Sequence, residues 1–547
     1  MRSILLLAAA PLALAAVSAQ AQSGAISLDT LKSVTETLSS DAFEGRAPTT
    51  PAEDKTVALI AERFAKAGLK PGNNGSWYQD VPLVEITNSN VSPLSFTGGK
   101  TPLAFDLHKD MVIGTYRVVP NIAISNSDVV FVGYGVNAPE RGWNDYAGVD
   151  VKGKTVIILI NDPDWQKPDV GGTFNGRAMT YYGRWTYKYE EAARQGAAAA
   201  IIVHDTEPAA YGWKTVDSSW TGPQLGADDV NNHMDQSQAV GWIQKPAAEA
   251  LFTSAGKDFA ALAAAAKQPG FKAVPLGVKA SVSFDNAIKR SKSKNVIGIL
   301  PGKARPDETF LYTAHWDHLG RCMPDETGDD ICNGALDNAT GTAGLIAMAE
   351  AHVKAGAADR SLIFLAVTAE ESGLLGSKYY AENPVYPLAR TVSGVNMDGL
   401  NILGPTKDVT AVGWGKSGLD PILEKAVKAQ GRYISPESTP EKGFYYRSDH
   451  FSLAKLGVPM FNAGSGDDLV AGGKAQGMKI AAEYTDQHYH QASDEYDPNW
   501  NWDGAVQDLQ LYYALGREVA NSSVWPNWNK GDEFRATRDK SLADAGK

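Results

Sequence analysis

The chain has 547 residues, 43% of them hydrophobic, with 13 tryptophans, a formal net charge of −12 and a pI near 5.3. That length exceeds one ordinary core, so two or more domains are expected. The acidic balance excludes nucleic acid and anionic membrane as partners, since both need basic patches.

Residues 1–21 carry the three parts of a secretory signal: Arg2 at the start, an apolar stretch over 4–17, and the small-residue cleavage site Ala19-Gln20-Ala21. The apolar part is short and alanine-rich for a retained anchor, and no later stretch reaches the roughly 18 uninterrupted apolar residues of a spanning helix. The mature chain is therefore expected to be exported, to the periplasm or outside the cell, with no stable membrane insertion. Helices are expected over 28–44 and 52–68. The second places Val57, Ile60 and Phe64 at helical spacing and closes at Gly68 before Pro71. A β-rich stretch follows to about residue 124.

From about residue 128 the texture becomes strand–helix–strand, with a buried-type strand over 155–160, a helix over 187–195 and a second strand ending at Val203. His204 and Asp205, at its end, read as structural. Residues 247–266 read as one amphipathic helix. From about 291, strands over 295–300, 309–313 and 361–368 alternate with helices over 342–355 and 421–429. Such alternation specifies an α/β, three-layer sandwich around a mainly parallel mixed sheet. Residues 529–547 read as a loose polar tail. The only cysteines, Cys322 and Cys332, lie in a loop with Asp325, Glu326, Asp329 and Asp330. In an oxidising compartment they read as a disulfide, and the acids as a solvated loop.

Ligands of open α/β sheets gather outside the carboxyl ends of the strands, and acidic and histidine residues fall there. The strand over 309–313 runs into His315-Trp316-Asp317-His318, where His315 offers a metal ligand and Asp317 a partner for its other ring nitrogen. Asp337 stands just before a helix, as a cap or as a carboxylate able to bridge two cations. Glu370 and Glu371 follow an apolar strand; adjacent carboxylates there repel unless cations compensate, and one can ligate while its neighbour faces water. Asp398 follows the strand over 392–397. A last histidine comes from Tyr489-His490, with His488 a competitor that periodicity does not separate.

These residues resemble the co-catalytic di-zinc aminopeptidases, whose relatives include glutamate carboxypeptidase and the transferrin receptor. The motifs are His315-x-Asp317, Gly334-Ala-x-Asp337-Asn338-x-x-Gly341, Glu370-Glu371-x-Gly-x-x-Gly376-Ser377, Asn396-x-Asp398, Arg447-Ser448-Asp449-His450, Gly457-Val-Pro459 and Tyr489-His490-x-x-x-Asp494, with Phe43-Glu-Gly-Arg46 near the start. The middle segment resembles the protease-associated domain inserted in many members, at Gly133-Tyr-Gly135, Asp145-Tyr-Ala-Gly148 and Lys152-Gly-Lys154. The implied division is a signal at 1–21, the N-terminal part of the peptidase domain at 22–125, the inserted domain at 126–285, the catalytic domain at 286–528 and a tail at 529–547.

The resemblance implies that His315 and Asp398 bind one metal, Glu371 and His490 the other, and that Asp337 bridges them. It makes Glu370 the general base, sets Asp317 behind His315, favours His490 over His488, and marks Asp337-Asn338 as the position of a cis peptide. His318 and Trp316 stand outside its pattern as local choices. It implies two zinc ions, with manganese or cobalt compatible with an all-nitrogen-and-oxygen ligand set, and a peptide substrate opened from its N-terminus. A carboxypeptidase or dipeptidase of the same fold is the alternative. A binding protein on a dead peptidase fold is disfavoured by the intact ligand set. The sequence assigns no oligomeric state and no specificity residue.

Overall fold

The computed structural model describes residues 26–168, 171–322 and 324–546; the signal segment at 1–21 lies outside them. One 27-residue strand, Val274–Leu300, ties the molecule together. It pairs antiparallel with Asn121–Phe131, then with Tyr78–Ser89, and finally with Arg360–Val367. The middle region of the chain and its C-terminal half therefore share a continuous strand rather than a flexible linker.

In the C-terminal half the end of that strand is followed across the sheet by Arg360–Val367, Arg305–His315, Thr391–Asn396, Met460–Ser465, Asp408–Val412 and Tyr433–Ser435. The four strands from Arg360–Val367 to Met460–Ser465 run parallel; the joints on either side of them are antiparallel. Successive strand side chains point to opposite faces. Phe310, Tyr312, Ala314, Leu362, Phe364 and Ala366 pack on one side with helices Leu28–Leu38, Pro51–Ala67, Thr340–Lys354 and Asp503–Asn521. Leu311, Ile363, Leu365 and Val367 pack on the other with Tyr380 and Leu453, from helices Leu375–Glu382 and His450–Lys455. A sheet covered on both faces needs apolar residues at every position, so these strands read as uninterrupted apolar runs. This is the three-layer, mainly parallel α/β arrangement expected from the alternation.

The middle region has its own parallel set, in the order Asn121–Phe131, Thr155–Leu159, Ala199–His204 and Ala239–Gln244, with Met111–Gly114 antiparallel at the edge. Among the described residues no helix is long and apolar enough to cross a membrane.

Three local expectations need correction. Residues 247–266 are not one helix: Lys245–Ser254 and Phe259–Ala266 are separated by a turn through Gly256 (φ 68°), and Asp258 caps the second by accepting from Ala261 N at 3.0 Å. An alanine run has too little amphipathic contrast to reveal that break. The segment 529–546 is not a loose tail. It contains helix Arg535–Asp544, Phe534 is buried, and the buried Arg538 donates to the carbonyls of Leu388 (3.0 Å) and Thr391 (2.8 Å). The expected helix over 28–44 stops at Leu38, and a turn of 3-10 helix over Asp41–Arg46 follows with Glu44, Gly45 and Arg46 all at positive φ. That turn drives Arg46 into the interior. Glycine is required at 45, because a Cβ there would lie 2.5 Å from the Cys332 carbonyl oxygen.

Candidate metal centre

Strand Arg305–His315 ends in His315, strand Arg360–Val367 leads into Glu370 and Glu371, and strand Thr391–Asn396 into Asp398. Parallel neighbours end on the same side of the sheet, so these side chains meet. His315 Nε2 lies 3.2 Å from Asp398 Oδ1 and 3.3 Å from Asp337 Oδ1. His490 Nε2 lies 3.4 Å from Asp337 Oδ2 and 3.1 Å from Glu371 Oε2. Asp337 thus turns one oxygen toward each histidine. His488 faces elsewhere, with Nδ1 beside the Ser493 carbonyl and hydroxyl.

The loops are fixed by hydrogen bonds. Asp494 accepts from the backbone N–H of Leu336 (3.0 Å) and of Asp337 (3.1 Å). Asn338 accepts from Gly341 N and Gly399 N and donates to the Met397 carbonyl, joining the Asp337 loop to the Asp398 loop. The Asp337-Asn338 peptide is cis. Gly334, at φ 54°, leaves room for the His318 ring; a Cβ there would approach it to 2.4 Å. Ala369 (φ 52°) and His490 (φ 61°) hold left-handed conformations that non-glycine residues adopt rarely. Such outliers cluster at functional sites.

Asp317 is fully buried and accepts from Glu370 N at 3.2 Å; His315 Nδ1 is 3.2 Å from its carbonyl oxygen and 3.8 Å from its carboxylate. Asp317 therefore braces both His315 and the Glu370 turn. Cys322 and Cys332 form a disulfide with an S–S distance of 2.08 Å.

Three contributions had no role assigned from the sequence, although Arg46, Asn396 and Ser448 lie in its motifs. His318, set aside as a local choice, has Nδ1 2.7 Å from Glu371 Oε1 and is buried. Its signal was a second imidazole three residues after His315. A relay runs from Thr313 Oγ1 to Asn396 Oδ1 (2.6 Å), from Asn396 Nδ2 to Ser448 Oγ (2.6 Å), and from Ser448 Oγ to Asp398 Oδ2 (2.7 Å). Arg46 lies behind the site and donates to the carbonyls of Leu38, Trp316, Asn333 and Gly334. It clamps the two loops that carry His315 and Asp337.

The electrostatics are those of an acidic cluster short of cations. Burial lowers His490, but the nearby Asp337 and Glu371 carboxylates outweigh it and raise the imidazole to about 10. Burial and the Asp337 charge raise Glu371, yet His318 and His490 hold it at about 2. Burial, with Asp398 and Glu371 adding to it against His315, pushes Glu370 well above the carboxylate range. Burial lifts Asp317 to about 7, His315 opposing. Among the described residues three groups have donor atoms close enough to share an ion: His315 with Asp337 and Asp398, His315 with Glu370 and Glu371, and His318 with Asp337 and Glu371. His490 Nε2 sits between two carboxylates without hydrogen-bond geometry to either. An imidazole and carboxylate set lacking thiolate, with a ring nitrogen aimed between two carboxylates, fits a divalent cation of the zinc type.

The cluster lies at the strand ends of a mainly parallel three-layer sheet, where ligands of such sheets gather. Residues 295–514 match the model described as Peptidase family M28. The chain is 33% identical over 139 residues to the mouse (Mus musculus) protein Aminopeptidase NAALADL1, a match covering 24% of this chain and 17% of that one. It is 29% identical over 188 residues to Aminopeptidase YwaD of Bacillus subtilis (strain 168), covering 32% and 35%. These alignments thus span only a sixth to about a third of the relatives' length. A solved aminopeptidase from Aneurinibacillus sp. strain AM-1 superposes with a TM-score of 0.49 at 20% identity, covering 91% of this chain and 95% of that one.

Proposed function

We propose that the chain is an exported, zinc-dependent aminopeptidase that removes N-terminal residues from peptides. The observation that carries this reading is Asp337, whose two oxygens face two different histidines at 3.3 and 3.4 Å. That placement suits a carboxylate bridging two cations, with His315 and Asp398 on one side and Glu371 and His490 on the other. Two zinc ions held there would polarise the scissile carbonyl and acidify a water molecule.

The chain's own residues supply the rest. Glu370 accepts the water proton and passes it to the leaving amine, the ordinary work of a general base and acid. In the metal-free protein its burial, with Asp398 and Glu371 beside it, raises its proton affinity against His315. Asp317 keeps His315 in place and anchors the Glu370 backbone. Ser448 and Asn396 fix the Asp398 carboxylate, so that one of its oxygens stays directed at His315. Arg46 holds the two loops in register from below. The inserted region, with the motifs of a protease-associated domain, and the signal segment at 1–21 complete the proposed exported enzyme.

Hydrolysis of a panel of aminoacyl anilides, with and without chelator and with zinc add-back, tests this reading. Chelator-sensitive cleavage that N-acetylation of the substrate abolishes is expected. Cleavage indifferent to chelator overturns the metal assignment, and equal cleavage of acetylated substrates moves the enzyme to a carboxypeptidase or dipeptidase.

A further inference from the structure

Two carboxylates of the cluster each turn one oxygen to an imidazole of the proposed ligand set and have the other held from outside it. Asp398 Oδ1 lies 3.2 Å from His315 Nε2, while its Oδ2 accepts from the Ser448 hydroxyl at 2.7 Å. Glu371 Oε2 lies 3.1 Å from His490 Nε2, while its Oε1 lies 2.7 Å from His318 Nδ1. The two arrangements match in plan and differ in the holding group: a hydroxyl in one, an imidazole in the other.

The surroundings are shaped to the His318 ring. It is buried, and it meets the His490 ring edge-on, with centroids 5.7 Å apart and planes at 77°. Gly334 lies against it so closely that a Cβ there would press into the ring, and the Gly334 carbonyl is itself held by Arg46 at 2.8 Å. The far ring nitrogen, Nε2, is buried without a hydrogen-bond partner. Among the described residues the ring therefore makes one hydrogen bond, and it goes to Glu371. An ionised carboxylate only accepts, so Nδ1 is the donor. The last torsion of a glutamate is broad and roughly two-fold. A donor fixed on Oε1 narrows it and keeps Oε2 on the His490 side.

We propose that His318 is a positioning residue for the cation assigned to Glu371 and His490, and that it acts on that position and not on its neighbour. The inference rests on the metallopeptidase reading and deepens it by dividing the supporting residues between the two ions: Ser448 serves the position of His315 and Asp398, His318 that of Glu371 and His490. The rival role for His318 is direct ligation, since its ring, Asp337 and Glu371 have donor atoms close enough to share an ion. Its hydrogen bond to Glu371 and the ring nitrogen that His490 already offers to the same carboxylate favour positioning.

The test titrates the metal-free full mature chain with zinc against a competing chelator, and with cobalt(II) followed by its visible absorption, so that neither readout depends on peptide cleavage. Wild type is expected to take up two ions. In His318→Leu the affinity for one ion should fall about 10- to 100-fold, the usual cost of losing a hydrogen-bond partner behind a metal ligand, with the other ion little changed. Ser448→Ala should weaken the other ion instead, so the two losses add in the double variant. On a His490→Ala background, His318→Leu should cost little more, because both act on one position. Rescue separates positioning from packing. His318→Asn places an amide nitrogen where Nδ1 stood and should recover most of the affinity, whereas His318→Gln reaches toward the Nε2 side and should not. That pair also decides the matter if the leucine variant fails to fold. Unchanged affinities in His318→Leu, equal losses at both ions, or Asn and Gln variants that behave alike overturn the inference. Complete loss of one ion in the Asn and Leu variants makes His318 a ligand and overturns it too. A wild type that does not bind two ions overturns the metallopeptidase reading itself, whereas two ions in wild type with indifferent His318 variants overturn the positioning role alone.

Discussion

Two parallel strand sets in this molecule end in charged residues, and only one of them has the makings of a reactive centre. In the middle region Asp162 follows the strand Thr155–Leu159 and Asp205 follows Ala199–His204. Every one of these groups is answered. Asp162 accepts from Thr180 N (2.7 Å) and Thr180 Oγ1 (2.8 Å), Asp145 from Val136 N and Trp143 Nε1, and Asp205 pairs with Lys245 at 2.8 Å. The fully buried Lys188 donates to the carbonyls of Tyr134 and Asn161 within reach of both Asp162 and Asp145. In the C-terminal half, Asp317, Asp337, Glu370, Glu371, Asp398 and Asp449 converge on three imidazoles, and the nearby buried cation, Arg46, spends its donors on backbone carbonyls. The same residue types at the same place in a sheet are structural where charge is balanced and available to a metal where acid is in excess.

The contrast is sharpened most by Glu370. It carries a high proton affinity without being assigned to either ion, so its removal should separate metal holding from turnover. Glu370→Ala is expected to lose a factor of about 10² to 10⁴ in kcat while keeping its zinc, measured by metal analysis beside initial rates. Near-normal rates would falsify the assignment of the base.

Lys188 should behave in the opposite way. Lys188→Met leaves Asp162 and Asp145 buried without an opposing charge, and breaking such an arrangement costs about 3–5 kcal/mol. Urea unfolding of the zinc-loaded protein should show that loss, while the rate per folded molecule on an anilide is retained. A variant of unchanged stability would mean that the middle cluster is not balanced by its lysine.

The disulfide belongs to the catalytic side of the comparison, because it ties the loop ahead of Asn333 and Gly334 over Gly45 and Arg46. Cys322 and Cys332 are 10 residues apart, and a loop of that size corresponds to about 2–3 kcal/mol of chain entropy. Cys322→Ser with Cys332→Ser should lose that much stability in denaturant titration and weaken zinc retention against a competing chelator. If zinc retention is untouched, the strap serves the fold alone.

The sequence displayed the parts of this centre that are local. Apolar runs announced the strands, and the acids after them announced the strand ends, because a buried parallel strand must be apolar throughout and its polar residues can begin only where it leaves the sheet. The order of the motifs supplied the implied roles. What stayed hidden depends on distant partners. His318 reads as one more loop histidine until Glu371 is beside it, and Ser448 is 50 residues from the Asp398 it holds. Arg46 lies nearly 300 residues from the loops it clamps, with sequence separations of 270 to Trp316 and 288 to Gly334. The tail misled because its composition is polar on average, whereas Phe534 and Arg538 make individual buried contacts that an average conceals.

The smallest effect is a pH dependence confined to the metal-free protein. There His490 is raised from an ordinary 6.5 to about 10 by Asp337 and Glu371, against the opposing effect of burial. A group whose folded value is raised contributes stability that is fully present below its unfolded value and is lost as pH rises through the folded one. Chelated protein should therefore lose thermal stability from about pH 7 to about pH 10, and His490→Gln should flatten that slope. The acidic limb runs the other way. Glu371, held at about 2, contributes stability above its ordinary carboxylate value of 4.5 and loses it only as pH falls through about 2. Metal needs the imidazole neutral, so loading must displace the His490 proton. Zinc titration near neutral pH in buffers of different ionisation enthalpy should report proton release, and the release should shrink in His490→Gln. A chelated wild type with a flat melting temperature over the alkaline window, or zinc loading without proton release, would remove His490 from the acid-rich cluster and leave the two strand-end regions more alike than their charge balance implies.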